Sequence, residues 1–329
     1  MINIDLTTKN TVYNTLGPQA QWVQHRFGRR DYPEIELAVE TVKQVIAQSS
    51  DTVNFTSVFG DPSQHSKIVE ILESVEPGKI VFNSHLNFDN NSLIDMLNNK
   101  QAYVVVPCYG IDDLSNKILL HTDWLTVDSN LKKLECTVCI EFSVFEHNVH
   151  QLPLVKNICK ERSLELKIKE GVSLHPDGFS PVVNENKEWL YDVYSANENI
   201  STIKWPTLHQ TVDGYNSLIQ YVKPTKGASI LNRPNFYKIA KSFDSDNISI
   251  SATGHVFPSF ELHQIFSNSL CTDWNFSFSN ITEFNKINIK PEYAHLCSAL
   301  TNISKMLKFN SLSTNQYSDI LENFANSNV

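Results

Sequence analysis

The side chains best suited to metal or acid–base chemistry lie together in one short segment, at Glu146, His147 and His150. They follow a predicted strand and precede a predicted helix. A carboxylate and two imidazoles are common metal donors, and a helix start also favours phosphate or carboxylate groups. The alternative interpretation is that Asn148 caps the helix while His147 packs locally. The sequence leaves both interpretations open.

A second candidate is the Cys-x-x-Cys pair formed by Cys136 and Cys139. Such a pair commonly indicates a metal or redox site. Here it lies in an apolar run that predicts a strand, and side chains three residues apart on a strand point to opposite faces. We therefore interpret both thiols as structural.

Short β-type runs alternate with amphipathic helical stretches through the first half of the chain. This alternation predicts βαβ units and a parallel sheet, with ligands bound where the strands end. Asp61, which follows the second predicted strand, then either holds a ligand amine or accepts hydrogen bonds from backbone donors. The predicted strands are residues 2–6, 52–58, 79–83, 102–108, 136–145 and 164–171, and the predicted helices are 33–48, 66–75, 91–99 and 152–163.

Local strings that follow the first four predicted strands share the order and spacing of one known family. They read TTKNTVYNTLGP, VFGDPSQHSKIVEIL, NSHLNFDNNSLI and YGIDDLSN. In this order they resemble the radical S-adenosylmethionine (SAM) superfamily. The resemblance implies a partial (β/α)6 TIM-like barrel at residues 1–171. Residues 172–329 are predicted to form an irregular α+β extension. Within it the residue pattern predicts a β-hairpin at about 248–258 and terminal helices at 292–309 and 314–326.

Two further strings refine the resemblance. FSVFEHNVHQLPLVKNICKERSLELKIKEG is similar to a subgroup common in phages of marine bacteria. ISISATGHVFPSF is similar to the hairpin of an extension that binds an auxiliary cluster, with Ser259 and Phe260 in place of a cysteine pair.

The family's C-x3-C-x2-C loop falls on Asn10, Asn14 and Gly17. In the family, three thiolates there hold a [4Fe-4S] cluster, which binds SAM. Amide side chains and glycine supply no thiolate, so the cluster is predicted to be absent.

The other positions that the resemblance assigns to the cofactor are kept. Gly60, Asp61 and Pro62 match the segment that contacts the amino group of SAM, and Asn83 and Ser84 match the segment after the third strand. We therefore expect a non-catalytic binding or partner subunit, with an intact radical SAM enzyme or a small molecule as its partner. The alternative is an enzyme, either of this superfamily or dependent on a metal or nucleotide, that uses the retained pocket.

Composition limits the remaining classes of function. The chain has 329 residues, a net charge of -9 and a pI near 5.6, which disfavours nucleic-acid binding. No run is long and apolar enough to cross a bilayer, and the first residues lack the basic start of a signal peptide. We expect a cytoplasmic protein.

Overall fold

The computed structural model describes residues 1–10, 34–48, 51–58, 60–113, 115–116, 122–170, 179–183, 189–194, 248–257, 260, 263 and 279–280. The chain divides into two compact units, Met1–Ile203 and Lys204–Val329. The predicted boundary after residue 171 stays a prediction, and the predicted terminal helices lie outside the described residues. No helix in the described part of the chain could cross a membrane.

Strands and helices alternate through most of the first unit, and further strands follow. The helices are α1 (Val39–Ala47), α2 (Ile68–Glu73), α3 (Asn91–Asn99), α4 (Trp124–Lys133) and α5 (Leu152–Glu161). The strands are β1 (Ile2–Ile4), β2 (Val53–Phe55), β3 (Ile80–Asn83), β4 (Tyr103–Cys108), β5 (Thr137–Val144), β6 (Glu165–Glu170), β7 (Phe179–Val183), β8 (Trp189–Tyr194), β9 (Ile248–Ile250), β10 (His255–Phe257) and β11 (Ser279–Asn280).

Strands β1 to β6 form a parallel sheet in sequence order. In the register, Ile4 is opposite Phe55, and Phe55 is opposite Phe82. Because parallel neighbours need a crossover, a helix or helical segment lies between successive strands. The predicted α/β fold with an open, partial barrel is confirmed, and the sheet is not closed into a complete barrel.

The two faces of this sheet differ in polarity at its first three strands. On one face the side chains are apolar and buried, and burying each contributes about 1.5–3 kcal/mol. The other face carries Asn3, Asn54 and Asn83, which are joined by hydrogen bonds, and it continues with the buried Val105 and Cys139 in β4 and β5. The apolar face comprises Ile2, Ile4, Val53, Phe55, Ile80, Phe82, Val104, Val106, Val138, Ile140, Phe142 and Val144.

Helix α1 begins later than the sequence pattern predicts, at Val39 rather than near Pro33. The reason is that the chain before it is extended and paired with the segment after β1. Thr8 N donates to Ile35 O at 2.9 Å, and Leu37 N donates to Leu6 O at 2.8 Å. These bonds occupy backbone groups that a helix would otherwise use. The two segments form a stem, residues 6–9 with 35–37, at the carboxyl end of β1.

In the second unit, β9 and β10 form an antiparallel hairpin. Its turn contains Gly254 at φ 82°, a conformation that favours glycine. His263 stacks on Phe257 with ring centroids 4.9 Å apart, and its Nδ1 lies 2.9 Å from Ser249 Oγ. Burial lowers the pKa of His263 to about 3, so this imidazole is neutral core.

Candidate functional site at the carboxyl edge of the sheet

The segments after β1 and β2 are packed tightly together. Asp61 N donates to Lys9 O at 2.9 Å, and Ser57 Oγ donates to Thr7 O at 3.4 Å. A Cβ on Gly60 would lie 2.1 Å from Thr7 O and 2.6 Å from Lys9 O. Only glycine fits this close approach of two backbones. The packing fixes Gly60 beside the segment that the family resemblance assigns to the cluster.

Asp61 is an extensively hydrogen-bonded acid at this edge, and its side chain is only 3% exposed. Its Oδ1 accepts from Ser63 N at 2.9 Å, which caps the 3-10 turn that begins at Pro62. Its Oδ2 accepts from Ser84 Oγ at 3.1 Å and from His85 N at 2.8 Å. Burial acts to raise the pKa of Asp61, but hydrogen bonds and the charge of His85 outweigh it and hold that pKa below its usual range. Asp61 is therefore ionised at neutral pH.

His85 is a residue that the sequence analysis missed. Its Nδ1 lies 3.2 Å from Asp61 Oδ2, and its side chain is 15% exposed. An ionised carboxylate can only accept, so Nδ1 carries the hydrogen. A histidine directly after the predicted third strand was the available signal, but its pairing with Asp61 depends on the tertiary fold.

Asn83 ends a line of amides across three strands. Its Nδ2 donates to Asn54 Oδ1 at 2.5 Å, and Asn54 Nδ2 donates to Asn3 Oδ1 at 2.7 Å. We call these three residues the amide ladder. The amide ladder therefore connects β1, β2 and β3 through side chains as well as through the backbone.

Asp5 lies just beyond β1 and is 2% exposed. Its Oδ2 accepts from Val58 N at 3.2 Å, which connects the segment after β1 to the segment after β2. Burial raises the pKa of Asp5 to about 7, against the lowering effect of that hydrogen bond. The site therefore contains two buried acids in different states, Asp61 ionised and Asp5 titrating near neutral pH.

On the other side of the edge, Asn148 and Gln151 join the segments after β4 and β5. Asn148 Nδ2 donates to Tyr109 O at 2.7 Å, and its Oδ1 accepts from Phe145 N at 2.7 Å. Gln151 Oε1 accepts from Ile111 N at 3.0 Å. Asn148 occupies the N-cap position of the 3-10 turn Val149–Gln151, as the alternative predicts, but no backbone N–H of that turn donates to its side chain.

His147 packs locally, as that alternative proposed, with its ring stacked 5.7 Å from Phe145. Burial and the nearby His150 lower its pKa. Glu146 and His150 are exposed. No group of three or more potential metal ligands occurs among the described residues, so the metal role of Glu146, His147 and His150 stays a prediction.

Two of the described cysteines are kept protonated by burial. Burial raises the pKa of the Cys108 thiol to about 12 and of the Cys136 thiol to about 11. Cys136 precedes β5, and Cys139 lies within that strand and is buried. Asn10 is described, while Asn14, Gly17 and Ser259 lie outside the described residues.

Comparison with solved structures identifies the architecture. Streptococcus suis SuiB bound to S-adenosylmethionine matches with a TM-score of 0.54 and 12% identity, over 92% of this chain and 71% of that chain. The fold is that of the radical SAM enzymes. SuiB bound to precursor peptide SuiA matches with a TM-score of 0.54 and 11% identity, over 90% of this chain and 66% of that one. Native anSMEcpe with bound AdoMet matches with a TM-score of 0.51 and 10% identity, over 91% and 83%.

No protein-family model matches the chain, and no curated protein matches it. The chain spans about two thirds of the SuiB chain seen with its peptide. At these identities the likeness establishes the fold alone.

Proposed function

We propose that this protein is a non-radical member of the radical SAM fold, which binds a polar ligand at the carboxyl edge of its sheet. The observation that carries the proposal is the position of the first cysteine, Cys108, far beyond the segment between β1 and α1. A [4Fe-4S] cluster held there needs several thiolates, and that segment has none. Reductive cleavage of SAM at this edge therefore lacks its iron centre.

The retained framework argues for binding rather than for loss of all function. Gly60 and Asp61 remain packed against the segment after β1, and the amide ladder presents polar groups on one face of the sheet. Of the solved structures, SuiB and anSMEcpe contain S-adenosylmethionine, and one SuiB structure contains a precursor peptide. These support SAM as the first ligand to test and an intact radical SAM enzyme as a partner.

As part of the same proposal, the protein is related to the radical SAM subgroup that is common in phages of marine bacteria. The alternative, an enzyme dependent on a metal or nucleotide, would draw on Glu146, His147 and His150.

The first experiment is anaerobic reconstitution with iron and sulfide. We expect the protein to acquire no stoichiometric brown chromophore. The matched control is the triple variant Asn10→Cys, Asn14→Cys and Gly17→Cys, which restores the family's spacing and should gain cluster absorbance. A cluster in the unmodified protein would contradict the proposal.

The second experiment is calorimetric titration of the unmodified protein with SAM. Saturable binding without iron would support a retained ligand site. If SAM does not bind while the triple variant does gain a cluster, the ligand is not SAM. The proposal then reduces to a partner subunit, to be tested by co-purification with an intact enzyme.

A further inference from the structure

The segment after β5 places the imidazole of His147 in a buried position at the carboxyl edge of the sheet. Its Nδ1 and Nε2 are both buried, and neither has a hydrogen-bond partner in the part of the chain that the structure describes. We infer that residues 145–151 form a pH-sensitive latch, which is closed while His147 is neutral and opens when His147 binds a proton. This inference concerns contacts within the chain, so it does not depend on the ligand proposed above.

The closed latch suits a neutral ring only. The His147 ring stacks on Phe145 with the ring centroids 5.7 Å apart and the ring planes at 24°. A neutral imidazole has one N–H donor, whereas a protonated one has two donors and a full positive charge. Binding a proton in this position would bury that charge together with two unsatisfied donors, which is unfavourable. Protonation and the closed position of the ring therefore oppose each other.

The charges within the latch act in the same direction. Burial lowers the pKa of His147, and the neighbouring His150 lowers it further. Glu146 and His150 are both exposed, so solvent screens their charges. Acidification can charge His150 where it stands, whereas His147 accepts a proton favourably only by leaving its buried position.

The elements that contact the latch contribute one acid and two phenols. Asp112, in the segment after β4, accepts a hydrogen bond from Gln151 at the end of the latch. Tyr109 and Tyr194 accept hydrogen bonds from the latch through their backbone carbonyls, and phenols are uncharged at neutral and acidic pH. None of these groups is a hydrogen-bond partner of the His147 ring, so none of them can hold its charge in place.

The latch joins the end of β5 to two other parts of the edge. Glu146 N donates to Tyr194 O, in β8, at 2.9 Å, and Asn148 Nδ2 donates to Tyr109 O, after β4, at 2.7 Å. His147 lies between these two donors in the chain, so expelling its ring removes packing from the middle of the latch. We expect both contacts to weaken together, which detaches the latch from β8 and from the segment after β4.

Hydrogen–deuterium exchange followed by mass spectrometry measures local opening of the latch. In the open state the pKa of the imidazole returns to its ordinary value of 6.5, so the opening constant should rise by up to about tenfold between pH 7.5 and pH 5.5. Protection of residues 145–151, corrected for the intrinsic exchange rate at each pH, should fall by the same factor. Helix α3 contains no histidine and is the internal reference, which should show no such fall. Equal changes in the latch and in α3 would overturn the inference.

His147→Phe is the discriminating variant, because phenylalanine keeps a ring that can stack on Phe145 and cannot bind a proton. Its latch should have the same corrected protection at both pH values. The matched control is His150→Gln, which removes the exposed imidazole and should leave the fall in protection in place. A fall in His147→Phe as large as in the unmodified protein would show that another group opens the latch. The comparison with α3 uses the unmodified protein alone, so it decides the matter even if the variant does not fold.

Discussion

Asp5 is a buried carboxylic acid whose charge state should control stability near neutral pH. Burial raises its pKa from 3.8 to about 7. Between these values the folded protein holds a proton that the unfolded chain has released, so folding becomes less favourable as pH rises. The contribution of protonated Asp5 to the free energy of unfolding is fully present below about pH 4, and it is lost as the pH rises through about 7. This direction is opposite to that of an acid in an ion pair.

The magnitude follows from the same two values. Each pKa unit corresponds to about 1.4 kcal/mol, so the change from 3.8 to about 7 corresponds to at most roughly 4 kcal/mol. Between pH 5 and pH 8 the expected loss is roughly 3 kcal/mol, because part of the titration lies below pH 5. Asp5→Asn replaces the acid with a neutral group of the same shape and removes this dependence.

Urea unfolding of both proteins at pH 5 and pH 8 measures the effect. From pH 5 to pH 8, the free energy of unfolding of Asp5→Asn should rise by roughly 3 kcal/mol relative to that of the unmodified protein. Asp51→Asn is the matched control, since Asp51 is 59% exposed and should change stability by less than about 0.5 kcal/mol at either pH. The reasoning would be refuted if Asp5→Asn and the unmodified protein differed in free energy of unfolding by the same amount at pH 5 and at pH 8.

Three further predictions concern the framework of the edge. Gly60→Ala should cost about 1–3 kcal/mol in urea unfolding, because Cβ would lie 2.1 Å from Thr7 O; an unchanged midpoint would mean that the neighbouring backbone yields. Asn148→Ala removes a buried, hydrogen-bonded amide and should lower the free energy of unfolding by about 1–3 kcal/mol. The control is Asn91→Ala at an exposed position, which should lower it by less than about 0.5 kcal/mol. Equal losses of stability in the two variants would contradict this prediction. Burial acts to raise the pKa of Glu36, but hydrogen bonds from Ser66 and the ion pair with Lys9 lower it to about 2. The ionised side chain therefore contributes to the free energy of unfolding above about pH 4.5, and this contribution is lost towards pH 2. Glu36→Gln should therefore be less stable at pH 7 and equal to the unmodified protein at pH 2, and a constant difference would argue against this.

The order of β1 to β6 and of helices α1, α2, α3 and α5 could be predicted from the sequence because these elements have strong local patterns. Helix α4 and strands β7 and β8 were not predicted. The continuous apolar runs at β4 and β5 and the helical spacing in α3 need no tertiary information. The start of α1 could not be predicted, since Ile35 and Leu37 fit a helical pattern equally well. Their actual pairing, with Thr8 and Leu6, depends on a distant segment.

The candidate site shows the same limit. Asp61 was found from its family-like surroundings, whereas His85 was missed because its significance depends on a contact across two segments. In the segment after β5 the histidines attracted attention, yet Asn148 and Gln151 make the contacts that hold the structure together. Local sequence identifies reactive residue types, but the residues that position a site are recognisable only once their partners are known.

The stem formed by residues 6–9 and 35–37 bears on how such a protein could evolve. Its ends are joined by backbone hydrogen bonds and by the ion pair between Lys9 and Glu36 at 3.0 Å. These bonds depend little on which side chains occupy residues 11–33, and the entropic cost of loop closure rises only slowly with length. The pairing of the stem itself therefore requires no metal ligand, so inheritance of this part of the fold and inheritance of the cluster chemistry are separable.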